Sequence, residues 1–212
     1  MDIPQRLRLK VKPWRELAFW ALQKAREREL SNDQFRRFFT EGFELSDEFF
    51  AGKRVLDVGC GPRGSLEWAD MALERIGLDP LVGSYRKLGI GRHAMTYVES
   101  GAEEMPFPAG HFDVVSSLNS LDHVDDLDRA IAEITRVTRS GGALLLLTEV
   151  GHAATWTEPQ EFAWDVLDRF TGWRVLWERR NKKLDDIYNS LDADLPAEEG
   201  SHGLLSARLE RC

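Results

Sequence analysis

Apolar and polar positions follow two regimes along this chain. In residues 13–30, "PWRELAFWALQKAREREL", Pro13 opens a stretch in which Trp14, Leu17, Ala18, Ala21, Leu22 and Ala25 recur at three- and four-residue steps, the period of a helix with one buried side. Ser31 and Gln34 have the spacing of a capping box for a second helix, which places Phe35, Phe38 and Phe39 on one side. From Arg54 onward short apolar runs bounded by turn residues alternate with helical spacing, the signature of a parallel sheet covered on both faces. Strands are predicted at 54–58, 75–79, 95–99, 112–117 and 143–149, with helices in the gaps. The helix over 126–139 carries Leu127, Ile131, Ile134 and Val137 and stops at Ser140, Gly141 and Gly142. A helix after Pro159 turns Phe162, Val166 and Phe170 inward. "WRVLWERR" and "HGLLSARLER" read as two more strands, separated by an acidic excursion over 185–200 that is too long for a plain hairpin.

The most specific local feature is "VLDVGCGPRG", Val55 to Gly64, which runs from an apolar strand through a glycine turn towards a helix start. Gly59, Gly61 and Gly64 have no Cβ to keep a ligand from the backbone. They also spell the dinucleotide pattern G-x-G-x-x-G, with Asp79 twenty residues after the first glycine, so a nicotinamide-dependent oxidoreductase is one reading. Asp57 and Pro62 argue the other way. A carboxylate beside the turn repels a pyrophosphate, and Pro62 removes a donor that a phosphate would want. A cationic ligand, with an amino group near a sulfonium, fits better and points to S-adenosylmethionine.

Other groups stand at strand ends, where an open parallel sheet binds its ligands. Asp79 closes the second strand in "GLDP" and can accept both hydroxyls of a ribose; capping a helix is its plainer role. Ala102 and Glu103 in "SGAEEMPFP" can edge an adenine, with Met105 and Phe107 packing below or simply filling the core. His123 in "NSLDHVDD" is the candidate general base, or a brace for the next helix. Glu149, His152 and Glu158 gather beyond the fifth strand and can orient an acceptor; their spacing matches no familiar metal site, and no metal is expected. Trp156, Trp164 and Trp173 hint at an apolar or ring-bearing acceptor, although core packing explains such residues equally simply.

The ordered set "VLDVGCGPRG", "GLDP", "GAEEMPFP", "HFDVVSSLNSLDHVDD" and "RVTRSGGALLLLTE", covering 54–149, resembles the small-molecule type of class I S-adenosylmethionine-dependent methyltransferases. The resemblance implies an α/β fold, a doubly wound, mostly parallel seven-stranded Rossmann-like sheet whose last strand is antiparallel. It places Asp57, Gly59, Cys60, Gly61 and Gly64 at the methionine end, Asp79 with Pro80 at the ribose, Ala102 and Glu103 at the adenine, and Leu118 and Asn119 near the sulfonium. Where relatives often have an acid this chain has Gly101, which shifts the adenine-amine contact to Glu103. The implied activity is methyl transfer to oxygen or nitrogen of a small-molecule acceptor. A binding module that keeps the fold without turnover is a further reading.

Composition narrows the picture modestly. The 212 residues suit one compact unit, read as a helical lid or brace over 1–50 and a cofactor-binding domain over 51–212. A net charge of −8 argues against a general nucleic-acid binder, and the basic residues at 6–12, 26–28 and 36–37 read as solvated helix faces. No apolar run approaches the ~20 residues of a membrane span, and the start "MDIPQRLRLK" does not read as a secretory signal, so a cytoplasmic location is expected. Cys60 and Cys212 are the only cysteines, with no disulfide expected between a turn residue and the last one. Oligomeric state is not readable here.

Overall fold

The computed structural model describes residues 5–155, 157–198 and 200–212. Seven strands form one sheet: β1 (Arg54–Val58), β2 (Glu74–Leu78), β3 (Thr96–Val98), β4 (Phe112–Leu118), β5 (Thr138–Val150), β6 (Trp173–Lys182) and β7 (Gly203–Arg211), in the order β3-β2-β1-β4-β5-β7-β6. β1 pairs in parallel with β2 and β4, β2 with β3, and β4 with β5, whereas β7 runs antiparallel to both β5 and β6. Strand order reverses between β1 and β4, so the carboxyl ends of β1, β2 and β4 border one crevice.

The two-residue period of the strands divides the core. Leu56, Val115, Leu144 and Leu146 point to one face, where they join Leu127, Ile131, Ile134 and Val137; Val55, Val114, Leu145 and Leu147 point to the other. The first face is covered by α4 (Leu127–Val137), whose N-terminus is capped by the Asp126 carboxylate accepting the N–H of Arg129 at 3.1 Å. Asp126→Ala should cost about 1 kcal/mol, a fall in melting temperature of about 2–4 °C for a chain of this size, measurable by differential scanning calorimetry.

The second face departs from the expectation that helices fill every gap. Residues 59–73, between β1 and β2, form turns without a helix, because Gly61 and Gly64 hold positive φ (58° and 77°) on either side of Pro62 and Arg63 and break any regular ladder. The cover comes instead from buried Leu66 and from aromatic residues earlier in the chain, Phe39 on α2 (Phe35–Phe39) with Phe43 and Phe50 on two short 3₁₀ turns. Trp68 packs its ring 5.1 Å from that of Phe50 and 5.7 Å from that of Phe39. Residues 39–50 are thus built into the core. The Ser31–Gln34 capping box does not form: Ser31 Oγ bonds to Asp33, and Gln34 at the α2 cap makes no side-chain cap bond.

Three further expectations change. α1 (Gln5–Glu27) exists, but it turns a different side inward: Leu17, Trp20, Gln23 and Lys24 are half-buried, while Trp14, Leu22 and Phe19 are 74%, 51% and 49% exposed. Side-chain anchoring overrides the apolar stripe, since Lys24 Nζ donates to the Leu88 carbonyl at 2.8 Å and Glu27 grips the Arg63 guanidinium at 2.7 and 2.8 Å. β5 starts at Thr138, so Ser140, Gly141 and Gly142 lie in an irregular first part of that strand, where its pairing with β4 shifts register. After Pro159 there is a single 3₁₀ turn, Val166–Arg169, although Phe162, Val166 and Phe170 are buried as expected. The acidic excursion contains α5 (Ile187–Ala193), capped by Asp186, and Pro196 of this stretch bridges to Asn181. Between β2 and β3 lie only α3 (Val82–Tyr85) and two 3₁₀ turns.

Candidate functional site

The end of β1 carries Asp57 into the sheet, 2% exposed, where Ser65 Oγ and Ser116 Oγ donate to its two carboxylate oxygens at 2.5 and 2.7 Å. The end of β2 delivers Asp79, 7% exposed, whose carboxylate accepts the backbone N–H of Leu81 at 2.8 Å and of Gly61 at 3.2 Å. Burial pushes both acids up to about 6, against the hydrogen bonds each accepts, and the proximity of the two raises Asp57 further. Among the described residues their hydrogen bonds come from hydroxyls and backbone amides, none from a cationic side chain. Two buried carboxylates flanking one turn therefore leave an excess of negative charge that a cationic ligand relieves.

The three glycines of the turn do different work. A Cβ on Gly59, where φ is 74°, would stand 2.3 Å from Ser120 Cβ. One on Gly64 would stand 2.8 Å from the His93 ring, so at both positions the free space is taken by protein. Gly61 faces α1, with the Trp20 ring 3.4 Å from its hypothetical Cβ. Trp20 donates to Glu16 at 2.7 Å, and Glu16 adds to the negative field at Asp79, so one helix both roofs the turn and deepens its charge. Cys60 is buried against Gly77 of β2; burial, with Asp79 and Asp57 nearby, holds its thiol well above the ordinary value, and it acts as a small packing residue. Pro80 is exposed beside Asp79.

Where the sequence predicts the adenine contact, Ala102 and Met105 are buried in the core on the α4 side, with Phe107 packed against it. Glu103 Oε1 accepts the N–H of Asp125 at 2.9 Å, which engages that carboxylate with the turn leading into α4. Leu118 and Asn119 lie half-buried at the end of β4. Asn119 takes a left-handed conformation (φ 52°), and its Oδ1 accepts the N–H of Glu149 at 3.2 Å, locking β4 to β5 at the crevice. His123 stands at the rim, its side chain 35% exposed, and its field reaches Asp79.

The trio grouped beyond β5 is divided by the structure. Glu149 pairs with His202 at 3.0 Å and Lys183 at 3.5 Å. Glu158 instead joins Asp122 and His123. His152 bonds to the Ala153 carbonyl and lies 5.9 Å from the ring of His202. Trp164 and Trp173 pack, partly buried, on the core and donate to Ser201 O and Thr135 Oγ1; Trp156 lies outside the described residues. Sequence reasoning missed Ser65, Ser116, Ser120, Trp20 and Asp122. Ser116 and Ser120 had a readable signal, the hydroxyls clustered at the end of the apolar run in "FDVVSSLNS"; Trp20 had none, because only the orientation of α1 aims it at the turn.

Residues 56–146 match the family described as a methyltransferase domain. The chain is 38% identical over 111 residues to a ubiquinone/menaquinone biosynthesis C-methyltransferase of Psychromonas ingrahamii, covering 45% of this chain and 42% of that one. It is 32% identical over 143 residues to a demethylmenaquinone methyltransferase of Thermobifida fusca, covering 65% and 56%. A malonyl-[acyl-carrier protein] O-methyltransferase of Enterobacter lignolyticus matches at 35% over 96 residues, 45% of this chain and 38% of that one. The chain thus spans about half the length of these curated relatives or less. In fold it is similar to the [4+2]-cyclase SpnF (TM-score 0.61, 21% identity, 84% and 80% covered) and to an S-adenosylmethionine-dependent methyltransferase from Mesorhizobium loti (TM-score 0.57, 17% identity, 76% and 92% covered). No described helix is long and apolar enough to cross a membrane. The matched segment, this sheet order and this glycine turn together make residues 56–146 similar to the class I S-adenosylmethionine-dependent methyltransferases.

Proposed function

We propose that this chain transfers a methyl group from S-adenosylmethionine to oxygen or nitrogen of a small-molecule acceptor. The observation that carries the reading is the pair of buried carboxylates, Asp57 and Asp79, set around a glycine turn with only hydroxyl and amide donors bonded to them. Asp79, its oxygens oriented by Gly61 and Leu81, would take the ribose hydroxyls. Asp57 would supply the negative field for the ammonium, Gly61 and Cys60 the backbone contact, and Ala102 with Met105 the apolar bed for the adenine. Leu118 and Asn119 border the rim.

The cofactor supplies an already activated methyl group, so the protein's work is alignment and exclusion of water. α1 performs the second task by laying Trp20 and Glu16 over the turn. His123, at the rim beside Asp79, is the imidazole that would accept a proton from the acceptor. Glu149 and His152 border the same side of the crevice, where Glu149, fixed by Lys183 and His202, would orient the acceptor. An oxygen acceptor has the added support of the O-methyltransferase among the relatives, and a carbon acceptor that of the quinone C-methyltransferases.

A nicotinamide dinucleotide is disfavoured, because its pyrophosphate would lie against two carboxylates. Calorimetric titration of the whole chain separates the readings. S-adenosylhomocysteine should bind and NADH should not; the reverse result overturns the proposal. Labelled methyl transfer from S-adenosylmethionine to phenols, quinols, amines and carboxylates then identifies the acceptor atom. Cofactor binding without transfer to any panel member would favour a binding module or a non-methylating enzyme on this fold.

A further inference from the structure

We propose that Asp122, His123 and Glu158 form a binding site for a first-row divalent cation, of the Mn²⁺ or Zn²⁺ kind, at the rim of the crevice. One ligand atom from each residue lies within 4.8 Å of the others. The Asp122 side chain is 2% exposed, and its Oδ1 has no hydrogen-bond partner; His123 Nε2 stands 3.9 Å from it. A buried carboxylate oxygen left without a donor costs free energy that a bound cation removes. The surroundings sharpen that deficit, since Glu158 sets a second carboxylate beside the buried one.

The backbone is arranged to hold the three groups together. Asp122 and His123 sit on a 3₁₀ turn, Leu121–His123, immediately beyond β4. Ser120, just before it, is tied to the Val58 carbonyl at 2.6 Å and to Ser117 Oγ at 2.7 Å. Glu158 arrives from a distant loop that is stitched to this turn: Gln160 N–H donates to the Asp122 carbonyl at 3.3 Å, and Gln160 Nε2 to the Val124 carbonyl at 2.9 Å. Thr155 Oγ1 donates to Glu158 Oε2 at 3.2 Å and accepts the Glu158 N–H at 3.0 Å, orienting the carboxylate as an outer partner orients a metal ligand.

One imidazole and two carboxylates form a mixed nitrogen and oxygen set, which suits Mn²⁺ or Zn²⁺ better than the all-oxygen shells of Ca²⁺ and Mg²⁺. Three protein ligands leave coordination positions open. Ligands about 2.1 Å from one ion stand roughly 3–4 Å apart, so loading needs a contraction of about 1 Å, which a rotamer change of Glu158 can supply. With a ring nitrogen on the ion, His123 serves as a ligand rather than as the free base, and the ion takes over the acidification of an acceptor hydroxyl. That consequence rests on the methyl-transfer reading, whereas the ion site does not.

The test is titration of the chelator-treated chain, without cofactor or acceptor, following Mn²⁺ by electron paramagnetic resonance and Zn²⁺ by calorimetry. One equivalent should bind, with affinity reduced about tenfold or more by Asp122→Asn and by Glu158→Gln, and unchanged by Glu149→Gln in the neighbouring cluster with His202. Glu158 lies on a loop, so its variant decides the matter even if Asp122→Asn fails to fold. No binding at millimolar metal, or binding indifferent to Glu158→Gln, overturns the site and leaves the proposed methyl transfer standing.

Discussion

Asp57→Asn is expected to weaken S-adenosylhomocysteine binding by roughly 10–100-fold, the equivalent of one charge-assisted interaction, while the free protein becomes no less stable at neutral pH. The two halves of this expectation have one cause. With hydroxyl donors at 2.5 and 2.7 Å and no cation bonded to it, the buried carboxylate titrates at about 6 instead of 3.8. Between those values the folded state holds a proton that the unfolded state has lost. Stability therefore falls as pH rises from about 4 to 6, and the full cost, up to about 3 kcal/mol, is present at pH 7. Asparagine keeps the shape and removes that cost. Asp79, raised to a similar value, behaves in the same direction, and its charge adds to the rise at Asp57.

Two measurements follow. The melting temperature of the unliganded wild type should decline from pH 5 to 7, with a shallower decline in the variant. A cationic ligand lowers both carboxyl values, so its binding near pH 6 should release protons, visible as a buffer-dependent calorimetric heat. Equal ligand affinity and an equal pH slope in the variant would remove Asp57 from the site.

Gly59→Ala should be the most damaging single change in the turn. The new Cβ would sit 2.3 Å from Ser120 Cβ at a backbone φ of 74°. Ser120 cannot withdraw, because its hydroxyl is bonded to Val58 and Ser117. Left-handed strain of about 1–2 kcal/mol and overpacking of about 1–3 kcal/mol together remove roughly 2–5 kcal/mol, a large part of an ordinary domain's stability. Adding Ser120→Gly should recover the steric share and leave the backbone share. Gly61→Ala, with only the Trp20 ring 3.4 Å away, should lose the backbone share alone. Denaturant midpoints of the four proteins separate the two contributions; an unaffected Gly59→Ala protein would mean that the turn adopts another conformation in solution.

Legibility from sequence followed the range of the interactions. β1 falls at 54–58 as predicted, β2 and β3 lie within two residues of their expected bounds, and α4 was readable through Asp126 and its apolar period. Each is decided by neighbours in sequence: alternation across a pleat, a cap three residues from its amide, a glycine that alone accepts positive φ. The carboxylates of Asp57 and Asp79 were legible for the same reason, since each stands at the end of a strand whose direction the apolar run reveals.

What failed to show in the chain is what depends on partners far along it. The side of α1 that faces the body is chosen by Arg63 and Leu88, distant residues that hold Glu27 and Lys24 and so bring Trp20 over Gly61. The missing helix between β1 and β2 is replaced by aromatics from residues 39–50, and Glu158 leaves its sequence neighbour Glu149 to meet Asp122. Local periodicity thus determined strands, their order of burial and the acid-flanked turn, because those rest on backbone geometry and short-range hydrogen bonds. Tertiary structure alone decided the roof over the turn and the company of each rim side chain, because such contacts are selected by packing and charge between segments that only the folded chain brings together.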